Sequence, residues 1–140
     1  PSAALPQGPD RLPGPPAVTS GRLTPMLRTP DLPGTLAFYR DVLGFDIASG
    51  ALEHGWLALH RDSAELMLSG LNDHEGDTAP GFTGSLYLEV ADVDALWDTV
   101  RDRARICYTP ETFAYGMREF AVYDNNGYLL QFGTPVADDT

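Results

Sequence analysis

The residues able to do chemistry in this chain are few and scattered. His54, His60 and His74 show neither His-x-x-x-His nor His-x-His spacing, the patterns that set two imidazoles on one face of a helix or strand. His60 closes a predicted strand beside a turn, and His54 and His74 fall in loops, so their positions favour exposed loop histidines. A metal site built with Glu65 or Glu89 stays open. Cys107 lies in "RICYT" and reads as half-buried. A nucleophilic thiol needs a neighbouring base and a lowered pKa. No histidine is placed beside it, so a small apolar filler is the better reading. "TGSLY" lacks the flanking glycines of a nucleophile elbow, and no glycine-rich phosphate loop occurs, so no cofactor is expected. The aromatic residues say more. Trp56, Tyr87, Phe113 and Tyr115 could recognise a flat or cationic ligand by stacking and cation–π attraction. Ordinary core packing is the competing role, and it suits Trp97, on a helix stripe, better than Phe113 or Tyr115.

The balance of charge limits the partners. Among 140 residues, 20 are acidic and 9 basic, a formal charge of -11, and every basic residue is arginine. Such a chain repels phosphate backbones, so nucleic acid is not an expected partner. A cationic small molecule would be drawn to it, although acidity also serves solubility alone. No apolar run approaches the roughly 18 residues that span a bilayer, so no membrane partner is expected. No secretory pattern is seen. The single cysteine excludes an intrachain disulfide and fits a reducing cytoplasm.

Three stretches differ in texture. Residues 1–22 hold six of the twelve prolines without apolar periodicity, and read as a disordered tail or an expression remnant. The start at Pro1 rather than Met is read as trimming or as the inside of a longer chain. Residues 23–135 form a single domain, in which unit 1 (23–70) and unit 2 (84–135) flank a polar linker at 71–83. Residues 136–140 are a C-terminal tail.

The two units share one pattern. Asp31 caps a predicted helix through Leu43, closed by Gly44, and Asp92 caps one carrying Val93, Leu96, Trp97 and Val100. Asp31 and Asp92 are 61 apart, as are Leu36 and Trp97, Tyr39 and Val100, and Arg40 and Arg101. Leu57–Leu59 match Phe120–Val122 at an offset of 63, and Leu66–Leu68 match Leu130–Phe132 at 64. A hairpin turning at Arg61–Ser63 in unit 1 answers one turning at Asp124–Gly127 in unit 2. The fold class is therefore α+β, two βαβββ repeats. Neither sheet could bury a face alone, so two units must pack, within one chain or between two.

"LAFYRDVLGF" and "GMREFAVYDNNGYLLQFG" resemble the first-helix signature and the closing hairpin of the vicinal oxygen chelate superfamily. That superfamily includes glyoxalase I, extradiol dioxygenases and bleomycin resistance proteins; the closing hairpin is most similar to the bleomycin-resistance-like branch. The resemblance covers residues 23–135. It implies a cupped mixed sheet around a cavity, with the helices outside. It also implies metal-ligand positions on the first and last strand of each unit, which fall here at Thr24, Met67, Ser85 and Gln131. By strand alternation these oppose the leucine faces and look into the cavity. A thioether, two hydroxyls and one amide cannot hold a catalytic divalent metal, so these positions are expected to be vacant equivalents. Charged residues of the closing hairpin, Arg118 and Glu119, are expected to pair structurally rather than act as acid and base. Glu65 and Glu89 share the cavity-facing parity, and either meet a cationic ligand at the rim or are solvated strand ends.

The resemblance implies a metal-free binding protein that sequesters an aromatic, cationic compound in a cleft of a homodimer. The expected contacts are Trp56, Met67, Tyr87, Glu89, Phe113, Tyr115 and Gln131. The alternative is a divalent-metal-dependent lyase, isomerase or dioxygenase with an unusual ligand set.

Overall fold

The structure is a computed structural model and describes residues 23–71 and 79–137. Unit 1 contains β1 (Met26–Thr29), α1 (Leu32–Ala37), β2 (Asp46–Ala51), β3 (Trp56–Arg61) and β4 (Ala64–Gly70). Unit 2 contains β5 (Ser85–Glu89), α2 (Val93–Val100), β6 (Arg105–Thr112), β7 (Met117–Tyr123) and β8 (Leu129–Pro135). The two four-stranded sheets run β1-β4-β3-β2 and β5-β8-β7-β6. In each, the first strand lies parallel to the last and the remaining pairs are antiparallel. This is the α+β architecture of repeated βαβββ units that the offsets predict.

Both helices begin on their aspartates. Asp31 accepts from the Gly34 amide at 2.9 Å, and Asp92 from the Ala95 amide at 3.1 Å. Pro33 sits in the first turn of α1, where its missing amide costs nothing. The first helix departs from the regular helix expected through Leu43. After Ala37 it widens into a π-type segment, Phe38–Val42, in which the Leu43 amide reaches back to the Phe38 carbonyl at 3.3 Å. The wider turn keeps Tyr39 and Leu43 buried together. The closing residues reach back too, with the Phe45 amide 2.9 Å from the Tyr39 carbonyl.

Alternation in the strands puts Leu57, Leu59, Leu66 and Leu68 of one sheet, and Phe120, Val122, Leu130 and Phe132 of the other, into a single core with Leu32, Leu36, Val93 and Val100 of the helices. Trp97 packs edge-on against Phe120 at 5.2 Å, the core role its stripe position predicts.

The two units are also joined by polar groups. The turn between β7 and β8 is an aspartate turn: Asp124 Oδ1 accepts from the amides of Asn126 and Tyr128 at 2.8 and 2.9 Å. Its other oxygen accepts from the Tyr39 hydroxyl of unit 1 at 2.7 Å. Around this bond, Asn125 and Asn126 donate to Thr35 Oγ1 at 2.9 and 3.0 Å, and the Tyr128 hydroxyl donates to the Arg28 carbonyl at 2.7 Å. The counterparts of Tyr39 and Asp124 by repeat offset are Val100 and Arg61, so the repeat does not duplicate this clasp.

Burial holds the Asp124 carboxyl above its usual range, although Tyr39 and the turn amides each pull it down. The folded chain therefore binds that proton more tightly than the unfolded chain. Its contribution to stability is full in acid, below the ordinary carboxylate value, and declines as pH rises through the folded value. Tyr39→Phe removes a donor to the charged form. We expect a loss of about 1.5–3 kcal/mol at neutral pH, shrinking as pH falls through the folded value, read by urea unfolding at pH 7 and pH 4. An equal loss at both pH values would show that the hydroxyl matters only for packing.

Candidate functional site

Each sheet has a second face, opposite the core. In unit 2 the strand registers line this face with two rows of side chains. One row is Tyr87, Gln131, Ala121 and Tyr108; the next is Glu89, Gly133, Glu119 and Glu111. Each row contains a small residue, and each gap is used. Across Ala121, Gln131 Nε2 donates to the Tyr108 hydroxyl at 2.9 Å. Over Gly133, the Tyr87 hydroxyl donates to Glu119 Oε2 at 2.6 Å. A Cβ on Gly133 would stand 1.9 Å from that hydroxyl, so only glycine leaves the path open.

Tyr108 reaches this face because β6 is bulged. Ile106 pairs with Val122 and Tyr108 with Ala121, so Cys107 is an extra residue between them. Strict alternation would have set Tyr108 on the core side with Ile106. The bulge also corrects the expectation for Cys107, which is exposed rather than half-buried.

Glu119 lies at the centre of the resulting cluster and is 2% exposed. Oε1 accepts from the hydroxyls of Tyr108, at 3.2 Å, and Tyr115, and Oε2 from that of Tyr87. All three donors are phenols; among the described residues no arginine or histidine pairs with this carboxylate. Its hydrogen bond to Tyr115 is the main cause that pushes that phenol up to about 12. Loss of water around the Tyr87 hydroxyl, followed by its bond to Glu119, holds that phenol well above the ordinary value. Burial raises Tyr108 as well, while the amide donated by Gln131 pulls it back. At neutral pH every phenol in the cluster is a neutral donor.

The geometry also accounts for an amide at 131. Gln131 Oε1 accepts from Ser85 Oγ at 2.5 Å while its nitrogen donates to Tyr108. A carboxylate could only accept, and would stand one tyrosine away from a second carboxylate.

These contacts bear on the metal positions. Ser85 and Gln131 are engaged with one another, and Thr24 and Met67 belong to the other unit. These four positions offer no imidazole, thiolate or carboxylate, the donors that hold a catalytic zinc or iron. Among the described residues no three His, Cys, Asp or Glu side chains are grouped to hold one. His54 and His60 are exposed; His74 lies outside the described residues.

The residues expected to contact a ligand fall in three places. Phe113, Tyr115 and Gln131 line a pocket of ≈460 Å³ together with Tyr108, Glu111 and Glu119. Phe113 and Tyr115 stack there in parallel, 5.4 Å apart and 3° from coplanar. Tyr87 and Glu89 border a separate groove of ≈780 Å³ between β5, α2 and the turn at 61–64 of unit 1. Trp56 and Met67 lie on the open face of unit 1, where the row matching Tyr87, Gln131 and Ala121 is Met26, Met67 and Ala58.

Glu119 does not pair with Arg118 as expected. Neighbours on a strand point to opposite faces, and Arg118 instead meets Asp94 of α2 at 2.9 Å. Sequence reasoning missed Glu119 and Tyr108 as site residues. The parity of Glu119 against buried Phe120 and Val122 was a usable signal; no comparable signal marked the bulge that turns Tyr108.

Comparison with known proteins agrees with this architecture. Among curated proteins none matches by sequence. Among solved structures, an antibiotic-binding protein from Streptomyces sp. CB03234 superposes with a TM-score of 0.69 at 20% identity, covering 85% of this chain and 99% of its own. The bleomycin-binding protein of bleomycin-producing Streptomyces verticillus superposes at 0.61 with 24% identity, covering 87% and 100%. A lactoylglutathione lyase from Agrobacterium tumefaciens gives 0.64 at 17% identity, covering 84% and 96%. At these identities the likeness is one of fold. Residues 21–132 match the family described as the Glyoxalase/Bleomycin resistance protein/Dioxygenase superfamily, and over that length the chain belongs to it.

Proposed function

We propose that this protein is a metal-free binding protein that sequesters an aromatic, cationic small molecule in the cytoplasm. The observation that carries the reading is the pocket under Phe113 and Tyr115. Two stacked rings offer a flat, apolar face, and the wall beside them carries Glu111 and Glu119 with no basic side chain. A pocket of this size, part aromatic and part hydrogen-bonding, suits a compact ligand. Stacking and cation–π attraction supply affinity, and the charge of -11 speeds encounter with a cation. Structural neighbours that bind bleomycin or another antibiotic lend support at the level of the fold.

A second copy completes the site in this reading. The open face of unit 1 leaves Met26 42% exposed. Trp56 and Met67 of that face would close over the pocket of a partner chain, making two clefts per homodimer. Sedimentation at micromolar concentration is expected to show a dimer, and a monomer would remove Trp56 and Met67 from the site.

Tyr115→Ala is expected to weaken ligand binding by about 1–3 kcal/mol. The ring is 67% exposed, so any loss of fold stability should come from the donor removed from Glu119 and be small beside that of a core truncation, since water can reach the oxygen that the ring leaves. The check is calorimetric titration of bleomycin, and of aromatic amines selected by thermal shift. An unchanged dissociation constant would remove Tyr115 from the site. Failure of every compound to move the melting temperature would point to a pocket filled only by its own side chains.

The metal-dependent alternative is tested by elemental mass spectrometry on untagged protein purified without chelator. Far less than one Ni, Zn, Mn or Fe per chain is expected. Close to one tightly held ion would overturn the vacancy of the Thr24, Met67, Ser85 and Gln131 positions and call for a search for turnover.

A further inference from the structure

A carboxylate withdrawn from water ordinarily has a cation beside it, because neutral donors only partly replace its hydration. Glu119 is 2% exposed, and its partners are three phenols. The nearest formal charge in its row makes matters worse. Glu111 pairs directly across the strands from Glu119, an arrangement of like charges that destabilises a sheet. Both carboxylates line the pocket, and none of the four arginines of unit 2 does: Arg118 lies on Asp94, Arg105 over the Tyr123 ring, Arg101 over Trp97, and Arg103 is exposed in the turn after α2.

The three phenols are not equally committed. Tyr87 and Tyr108 belong to strands, the first in the gap over Gly133 and the second held from behind by Gln131. Tyr115 belongs to the short loop 113–116 between β6 and β7 and is 67% exposed. Its ring rests on Phe113, and its hydroxyl makes one side-chain hydrogen bond, to Glu119. It is the donor that can leave without disturbing a strand.

We propose that Glu119 is the counter-charge for a protonated amine on the ligand, admitted when the Tyr115 hydroxyl gives up its place on the carboxylate. The aromatic part of the ligand then lies against Phe113 and the Tyr115 ring, and the ammonium sits between Glu119 and Glu111. The exchange replaces a neutral donor by a charged one and relieves the repulsion between the two carboxylates. This inference rests on the pocket being a small-molecule site, and it names the group that selects among aromatic compounds.

The test compares tryptamine with tryptophol, which share an indole and differ in an ammonium against a hydroxyl. Calorimetry at pH 7 and low salt would use the wild-type chain, Glu119→Gln and Tyr115→Phe. Glutamine keeps the shape and one acceptor, and phenylalanine keeps the stacking ring while removing the competing hydroxyl. Wild type is expected to prefer tryptamine by about tenfold or more, a ratio in the range of one charge-assisted contact. Glu119→Gln should cut the ratio several-fold, leaving only the smaller preference that Glu111 supplies, and Tyr115→Phe should tighten tryptamine several-fold while leaving tryptophol within about twofold. Carbon-13 NMR of the tyrosine rings gives a second readout on unmutated protein: at pH 7, where tryptamine is an ammonium, saturating tryptamine should move the Tyr115 Cζ resonance further than saturating tryptophol does. A preference for tryptamine undiminished in Glu119→Gln would overturn the assignment of the counter-charge. Weaker tryptamine binding in Tyr115→Phe, or a Tyr115 resonance that tryptamine moves no further than tryptophol does, would overturn the exchange. Equal binding of both probes to wild type would reject the inference while leaving an aromatic pocket in place. Binding of neither would reject the pocket as a small-molecule site, and the inference with it.

Discussion

The hydrogen bond from Tyr39 to Asp124 is the contact on which the arrangement of the two halves depends. Each four-stranded sheet has an apolar face too large to leave in water and too small to form a core alone. Apolar burial drives the halves together, but it is tolerant of direction. The clasp supplies the direction, because a buried carboxylate that loses its donor is costly, whereas a leucine that slides along its neighbour loses little. Asp124 uses one oxygen to shape the β7–β8 turn and the other to hold unit 1. Strand register and inter-unit position thus meet at one side chain, with Asn125, Asn126 and Tyr128 of the same turn adding bonds to unit 1. β7 and β8 leave that turn carrying Glu119 and Gln131, so the site inherits its placement from the clasp.

The open faces show how one scaffold takes two chemical characters. Corresponding rows are Met26, Met67 and Ala58 in unit 1, and Tyr87, Gln131 and Ala121 in unit 2. The alanine recurs in both, and in unit 2 it leaves room for a long side chain to cross the sheet above it. In unit 2 that crossing carries hydrogen bonds, in the order Ser85 to Gln131, Gln131 to Tyr108 and Tyr108 to Glu119. The donors point one way along this chain and end on the carboxylate. Such directed networks strengthen their members in a region of low dielectric. The same direction explains why the last-strand position bears an amide, which must both accept and donate, rather than a carboxylate.

Much of the fold was legible because its causes are local. Asp31 and Asp92 announce helix starts by a side-chain geometry that operates over three residues. The offsets of 61, 63 and 64 expose the repeat, and alternation about Leu57, Leu59, Phe120 and Val122 assigns the core face. Parity also placed Gln131 correctly on the opposite face. The parts that were misread depend on partners far away in sequence. Arg118 and Glu119 looked like a pair because they are adjacent, yet a strand sends neighbours to opposite sides, and Arg118 finds Asp94. Cys107 looked half-buried because the bulge that expels it leaves no mark in "RICYT".

By itself the sequence determined the two βαβββ units, their caps and turns, and the apolar core faces. Each of these follows from residue type and short-range spacing, where the physics is that of hydrogen-bond reach and side-chain period. Only the tertiary structure decided that Glu119 is buried beneath three phenols, that Tyr108 crosses to join it, and that Phe113 and Tyr115 share a pocket with Gln131 while Trp56 and Met67 do not. Those outcomes turn on a one-residue bulge and on gaps at Ala121 and Gly133. A bulge or a gap acquires meaning only once the neighbouring strands are in register, because its effect is on side chains that belong to other strands.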